Sequence, residues 1–224
     1  LAYLMPRQDI ATRIYHGQVE PLYSMPPAGL PGHVNAFGEV YGMTPNVAKA
    51  KAVLAAAGVT TPVPLTLWWT PSHYGDASAD EFTEMQRALN ASGLFKITLK
   101  SAEWATYSKT LGTQYGAFQL GWFPDYPDAE DFNYPLFHSS NAGAGGNRAF
   151  LADSALDRMI VRARETPDPA ERVRLDHQVD ARVFDLAPWI FLWAPVDLWA
   201  RQPYVRGWRV PAIFTGQRWT DAVV

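Results

Sequence analysis

Between Leu65 and Trp122 the chain alternates strand and helix signals, and no other feature limits its fold so tightly. Leu65-Thr66-Leu67-Trp68-Trp69-Thr70 is rich in strand formers and is bracketed by Pro64 and Pro71. Asp80 to Ser92 carries Phe82, Met85 and Leu89 at helical spacing. Phe95 to Lys100 sets Phe95, Ile97 and Leu99 inward against Lys96, Thr98 and Lys100, a period of two. Glu103 to about Leu111 reads as a second helix, and Ala117 to Trp122 as a third strand. Strand, helix, strand, helix, strand is the order of an α/β fold, a small parallel or mixed sheet flanked by helices.

The flanking segments read as follows. Leu1 to about His16 is helical, with Ile10, Ile14 and Tyr15 on one face, and it opens without a start signal. The chain is therefore expected to be part of something longer. Pro21 to Gly32 holds four prolines and two glycines and is expected as an extended surface loop. Thr44-Pro45 starts a helix with Val47, Ala50, Leu54 and Ala57 inward, stopped by Gly58. Two more helices are expected, Asp153 to Arg164 (Leu156, Met159, Ile160, Ala163 inward) and one opened by Asp168-Pro169-Ala170-Glu171 (Leu175, Val179, Val183, Leu186 inward). Trp189 to Ala194 is a short strand expected to be buried on both faces. From Pro195 the tail is irregular, with aromatics at Trp199, Tyr204, Trp208, Phe214 and Trp219.

Composition narrows the function classes. Hydrophobic residues make up 48% and charged residues 18%, enough for a sizeable core. The net charge is −3 with no basic stripe, which argues against nucleic acid as the main partner. No apolar run approaches the roughly 18 residues of a membrane span. Cysteine is absent, so disulfides and thiolate metal sites are excluded, while the compartment stays open. The five histidines show no metal-ligand spacing. Aromatic residues reach 13%, a load shared between the core and the lining of a ligand cleft.

The chemistry concentrates in Gly121-Trp122-Phe123-Pro124-Asp125-Tyr126-Pro127-Asp128, which leaves the third strand and leads to a glycine-rich loop, Ser139 to Asn147. A tryptophan and a carboxylate three residues apart, stiffened by two prolines, suit a cationic or amine-bearing ligand. The plain alternatives are a turn-forming Asp125 and core positions for Trp122 and Trp104. The glycine-rich loop lacks the strand-to-helix placement of a dinucleotide fingerprint. Asp125, Asp128, Glu130 and Asp131 crowd one turn, whereas glycoside hydrolysis needs carboxylates set apart across a sugar, and no Gly-x-Ser-x-Gly elbow is present.

Five segments carry a resemblance: Arg7-x-x-Ile10 with a following Gly17; Tyr41-Gly42-Met43-Thr44-Pro45-Asn46-Val47-Ala48-Lys49-Ala50-Lys51 up to Ala57-Gly58; Gly121-Trp122 to Asp128; Asn147 followed by Asp157-x-x-Ile160; and Arg172 to Trp193. In this order they resemble the C-terminal half of the family 5 extracellular solute-binding proteins of ABC importers, the peptide-, dipeptide- and nickel-binding group. The chain departs from that pattern at Pro6-Arg7-Gln8, at Ala129 in place of proline, and at Arg148-Ala149 in place of Tyr-Ser.

The resemblance implies a type II periplasmic-binding-protein lobe whose N-terminal half is absent. Residues 1–194, with the loop 18–43, would form the ligand-binding lobe, and 195–224 a tail returning to the missing lobe. It implies a binder without catalysis, metal or cofactor, capturing peptides between two lobes and presenting them to ABC permease subunits. Such a protein is a monomer outside the cytoplasm, periplasmic or a membrane-anchored lipoprotein. By match, Asp125 would hold the ligand's amino group, with Trp122, Trp104, Tyr126 and Asn147 beside it. Tyr107 to Leu120 contains Lys109 but no arginine, so Arg148 is either a substitute anion anchor or a solvated loop residue. An oligosaccharide ligand stacked on Trp68, Trp69, Tyr74, Trp104 and Trp122, a secreted hydrolase, and a sensor domain are the alternatives.

Overall fold

The computed structural model describes residues 1–208. Its centre is the alternating stretch. Strands β2 (Val63–Trp69) and β3 (Phe95–Ser101) pair in parallel, from Val63 opposite Phe95 to Trp69 opposite Ser101. Helix α4 (Ser78–Ala91) makes the crossover and buries Phe82, Met85 and Leu89 with Leu67, Phe95 and Ile97. The period of two in β3 holds, with Phe95 and Ile97 buried and Lys96 and Thr98 exposed. Helix α5 (Trp104–Thr110) follows.

The third strand is cut short. Ala117 to Trp122 pairs only through a parallel bridge between Phe118 and Trp68, with the Trp68 N–H on the Ala117 carbonyl at 2.9 Å. A side chain shares this bridge. The fully buried Tyr107 hydroxyl lies 3.0 Å from the Trp68 carbonyl and 2.8 Å from that of Gln119, and it accepts the Gln119 N–H at 3.0 Å. The Gln119 N–H also reaches the Trp68 carbonyl at 3.4 Å, so the hydroxyl pins the segment where it meets β2.

Buried Glu81 on α4 ties three segments to this sheet. Its carboxylate accepts from the Tyr15 hydroxyl (2.7 Å), the Gln119 amide (3.0 Å) and the Trp193 indole (2.8 Å). Burial raises its pKa, and these three bonds oppose the rise. Glu81→Ala strands three donors and should cost about 2–3 kcal/mol. Glu81→Gln keeps the shape and most of the bonds, so it should stay within about 1 kcal/mol of the parent. Equilibrium denaturation of both variants checks the difference.

A second core joins α6 (Glu130–Phe137), α7 (Ser154–Arg164) and α8 (Pro169–Leu186). Phe132, Leu136, Phe137, Leu156, Ile160, Val179 and Val183 fill it, with Leu22, Tyr23, Phe37 and Phe191 arriving from elsewhere in the chain. The two later helices start where their caps predict. The Asp153 carboxylate accepts from the Leu156 N–H and that of Asp168 from the Glu171 N–H, each at 2.7 Å. Helix α6 has no such signal, and Pro135 lies inside it.

Several expectations are corrected. The opening helix is broken at Pro6 into a 3-10 turn (Ala2–Leu4) and α1 (Arg7–Asp9), which runs on as a π turn (Ile10–Ile14). Buried Arg7 donates to the Phe191 carbonyl at 2.7 Å and fixes this start. The helix expected at Thr44 is α3 (Val47–Ala56), capped by the Asn46 amide oxygen on the Lys49 N–H at 2.9 Å. Val47 is exposed there, and Ala50 is the buried residue. The proline-rich stretch contributes β1 (Val19–Pro21), and helix α2 (Ala36–Tyr41) follows it. Strand β4 covers only Trp193–Pro195, antiparallel to β1, and of Trp189 to Ala194 only Phe191 is buried, because the two-stranded ribbon leaves a face open. In the tail, Leu198, Trp199 and Tyr204 are exposed, while Phe214 and Trp219 lie outside the described residues.

Candidate functional site

Strands β2 and β3 and the bridged segment at Phe118 run the same way, so their carboxyl ends share one edge. Ligands of open α/β sheets bind outside such ends. Past β2 come His73 and Tyr74, past β3 comes Trp104, and past the third segment come Gly121, Trp122 and Phe123. Together with Ala144, Gly146 and Arg148 of the glycine-rich loop they line a cleft of about 200 Å³.

The walls are aromatic. Trp104 and His73 stack face to face, with centroids 3.4 Å apart and planes 2° from parallel, and Tyr74 meets Trp104 edge-on at 6.1 Å. The Tyr74 hydroxyl accepts the Gly121 N–H at 2.8 Å. Its ring stands 3.1 Å from where a Gly121 side chain would begin, so any larger residue would require the ring to shift by a few tenths of an ångström. Burial raises the Tyr74 pKa, and the phenol keeps its proton at neutral pH. Trp122 is half-buried: it packs on the α6–α8 core and also lines the cleft. Its indole N–H is buried and has no hydrogen-bond partner among the described residues.

The turn that follows is fastened at its base. The Asp125 N–H donates to the Asp131 carboxylate, and the Glu130 N–H to that of Asp128 at 3.0 Å. Asp128 pairs with Arg172 of α8 at 2.9 Å, and Glu130 pairs with Arg164 of α7 at 3.2 Å. The Tyr126 hydroxyl donates to Glu130. Burial pushes the Asp131 carboxyl up, and the nearby Asp125 and Glu130 add to the rise. The Asp125 carboxylate is exposed and carries no hydrogen bond or ion pair among the described residues.

The expected site residues thus part into three groups. Trp122 and Trp104 share the cleft. Asp125 and Tyr126 are exposed, two and three residues beyond Phe123, the last turn residue in the lining. Asn147 is fully buried: its amide donates to the carbonyls of Leu151 (2.8 Å) and His138 (3.3 Å) and accepts from the Leu151 N–H (3.0 Å). It pins the loop from within. Sequence reasoning missed His73, whose signal was position just past the end of β2. A larger, open hollow of about 510 Å³ lies along α7 beside His138 and Asp157, with no tryptophan or tyrosine in its lining. No helix among the described residues is long and apolar enough to cross a membrane.

Residues 1–144 match the model of the bacterial extracellular solute-binding proteins, family 5 (middle). The di/tripeptide-binding protein 4 of Pseudomonas aeruginosa (strain UCBPP-PA14) is 31% identical over 126 residues, 56% of this chain and 24% of that protein. The chain spans between 24% and 37% of the length of the first curated relatives it matches. Among solved structures, HbpA2 from Haemophilus parasuis superposes on all of this chain with a TM-score of 0.81, at 21% identity and over 43% of its own length. The dipeptide-binding protein from Pseudoalteromonas sp. SM9913 in complex with Met-Leu covers 99% of this chain and 43% of its own, with a TM-score of 0.79 at 20% identity. The α/β fold is that of a type II periplasmic binding protein, represented in part. On the family match over residues 1–144, the chain belongs to the bacterial extracellular solute-binding proteins, family 5.

Proposed function

We propose that this chain supplies one jaw of a peptide-binding protein serving an ABC importer. Residues 1–194 form the ligand-gripping lobe, and the tail from Pro195 returns toward the other jaw. The observation that carries this reading is the cleft at the strand ends, walled by Trp104 and Trp122, with the exposed Asp125 two residues further along the turn that leaves it. A peptide laid there would pack on the rings of Trp104 and Trp122, and its amino end would pair with Asp125. Trp122 and Trp104 line the peptide, Tyr126 flanks the amine, and Asn147 acts by holding the loop. The ligand touches both jaws only when they close, so binding shifts the population toward the closed form. The permease reads that form outside the cytoplasm, and the ligand leaves unaltered.

A relative named for di- and tripeptides and a solved relative holding Met-Leu support a peptide over other solutes. The packing of two tryptophans points the same way. Trp68 stacks on Tyr115 at 3.9 Å and Trp69 on Phe82 at 5.8 Å, which takes both rings away from a sugar platform. Titration calorimetry of the protein as the cell makes it, against a short-peptide pool and an oligosaccharide pool, tests the proposal. Heat with peptides alone supports it, and heat with sugars alone overturns it.

A further inference from the structure

We infer that Asp131 is a positioning residue of the ligand site: its buried carboxylate fixes the main chain of the turn, so that the Asp125 carboxylate is set in advance for the ligand's amino group. The inference rests on the peptide-binding reading above. Asp131 acts through Asp125 and not on the ligand itself. Its carboxylate accepts the Asp125 N–H, a contact that spans six residues and closes the turn on itself. Asp131 is 6% exposed, whereas the Asp125 side chain stands in solvent.

Little else holds the main chain there. At one end the Gly121 N–H donates to the Tyr74 hydroxyl at 2.8 Å, and at the other the Asp128 N–H donates to the Tyr126 carbonyl at 2.9 Å. Pro124 and Pro127, between these points, have no N–H to give. The neighbouring carboxylates are engaged elsewhere. Asp128 pairs with Arg172, and Glu130 pairs with Arg164 and takes the Tyr126 hydroxyl, which fixes that ring and not the main chain at Asp125. Asp131 forms no ion pair among the described residues, and its carboxylate turns back to the backbone.

The carboxylate itself leaves a rigid base. Asp131 lies in the first turn of α6, and Phe132, Leu136 and Phe137 bury that helix in the second core. Burial pushes the Asp131 carboxyl up, hydrogen bonds from the backbone at Asp125 and Tyr126 oppose the rise, and the nearby Asp125 carboxylate adds to it. A carboxylate kept buried beside a second one depends on such N–H bonds. An ammonium arriving at Asp125 offsets the repulsion between the two acids as well. With the turn ordered beforehand, little ordering remains to be done when the ligand arrives.

A double-mutant cycle read by calorimetry tests this on the protein as the cell makes it. The variants are Asp131→Ala, Asp131→Asn, Asp125→Ala and each Asp131 change combined with Asp125→Ala. The ligands are a tripeptide with a free amino end and its N-acetyl form. Asp131→Ala should weaken the free-amine peptide roughly 10-fold and leave the acetylated one unchanged. Asp131→Asn keeps an acceptor oxygen and nearly the same volume, so it should recover part of the loss. Added to Asp125→Ala, either change should cost no further affinity, because the residue acts only through Asp125. Equal loss with both peptides, or the full loss repeated on top of Asp125→Ala, means general damage to the site and overturns the inference while peptide binding stands. Parent-like affinity in both Asp131 variants overturns it too. If Asp131→Ala does not fold, Asp131→Asn decides by the same cycle. No heat with either peptide overturns this inference and the peptide reading together.

Discussion

Asp125→Ala should raise the dissociation constant for a free-amine peptide roughly 100-fold, about 3 kcal/mol, without lowering stability. The size follows from desolvation: an ammonium closed between two jaws loses its water, and only a paired carboxylate compensates. The lack of a stability cost follows from the structure. The Asp125 side chain makes no hydrogen bond or ion pair among the described residues, and the turn is held instead by Asp131, Asp128 and their partners. Asp125→Asn should lose nearly as much affinity, because the charge and not the shape is what pairs. N-acetylation of the peptide should weaken binding to the parent protein and then make it insensitive to the substitution. Equal affinities for the free and acetylated peptides would show that no carboxylate meets the amine.

The second large effect concerns pH. Asp176 and Asp180 lie one turn apart on α8, both buried, at 4% and 2% exposure. Asp176 accepts from the Asn133 amide of α6 at 3.3 Å, while the Oδ2 of Asp180 has no hydrogen-bond partner among the described residues. Burial, and then the neighbouring Asp176, push the Asp180 carboxyl up to about 8. Burial and Asp128 push Asp176 up to about 6, with Glu130 adding and with Asn133 and Arg172 opposing. The folded chain therefore holds protons that the unfolded chain releases near the ordinary aspartate pKa of about 3.9. Stability from these groups is greatest in acid and falls as pH rises from about 4 to about 8. Buried Glu81, whose pKa is also raised, adds to the same slope.

Asp180→Asn imitates the neutral acid. At pH 8 it should be more stable than the parent by a few kcal/mol, and at pH 5 the gap should nearly close. Denaturant midpoints at pH 5, 6.5 and 8 read this directly. A parent midpoint that is flat with pH, or an Asp180→Asn chain weaker at every pH, would contradict the assignment.

What was legible in the sequence follows from which forces act locally. The crossover β2–α4–β3 could be read because Phe82, Met85 and Leu89 keep a helical period and Phe95 and Ile97 a period of two. Starts of α7 and α8 could be read because Asp153 and Asp168 cap within three residues. The shortness of the third strand could not, since its one bridge joins Phe118 to Trp68, fifty residues earlier in the chain. The β1–β4 ribbon joins residues far apart in sequence, and neither short strand has a periodic signal of its own. That Trp122 and Trp104 would meet in one cleft was legible from the strand ends they follow. Asn147 was misjudged because its amide turns inward to Leu151 and His138, a geometry set by the loop closing on itself.

Native mass spectrometry of the protein as the cell makes it, followed by unfolding and sequencing of what is released, addresses the central claim most directly. The account predicts a near-stoichiometric load of short, uncleaved peptides with free amino ends, lost when Asp125 and Trp122 are both replaced by alanine. A released sugar, or peptide fragments that accumulate with time under the protein's action, would contradict it.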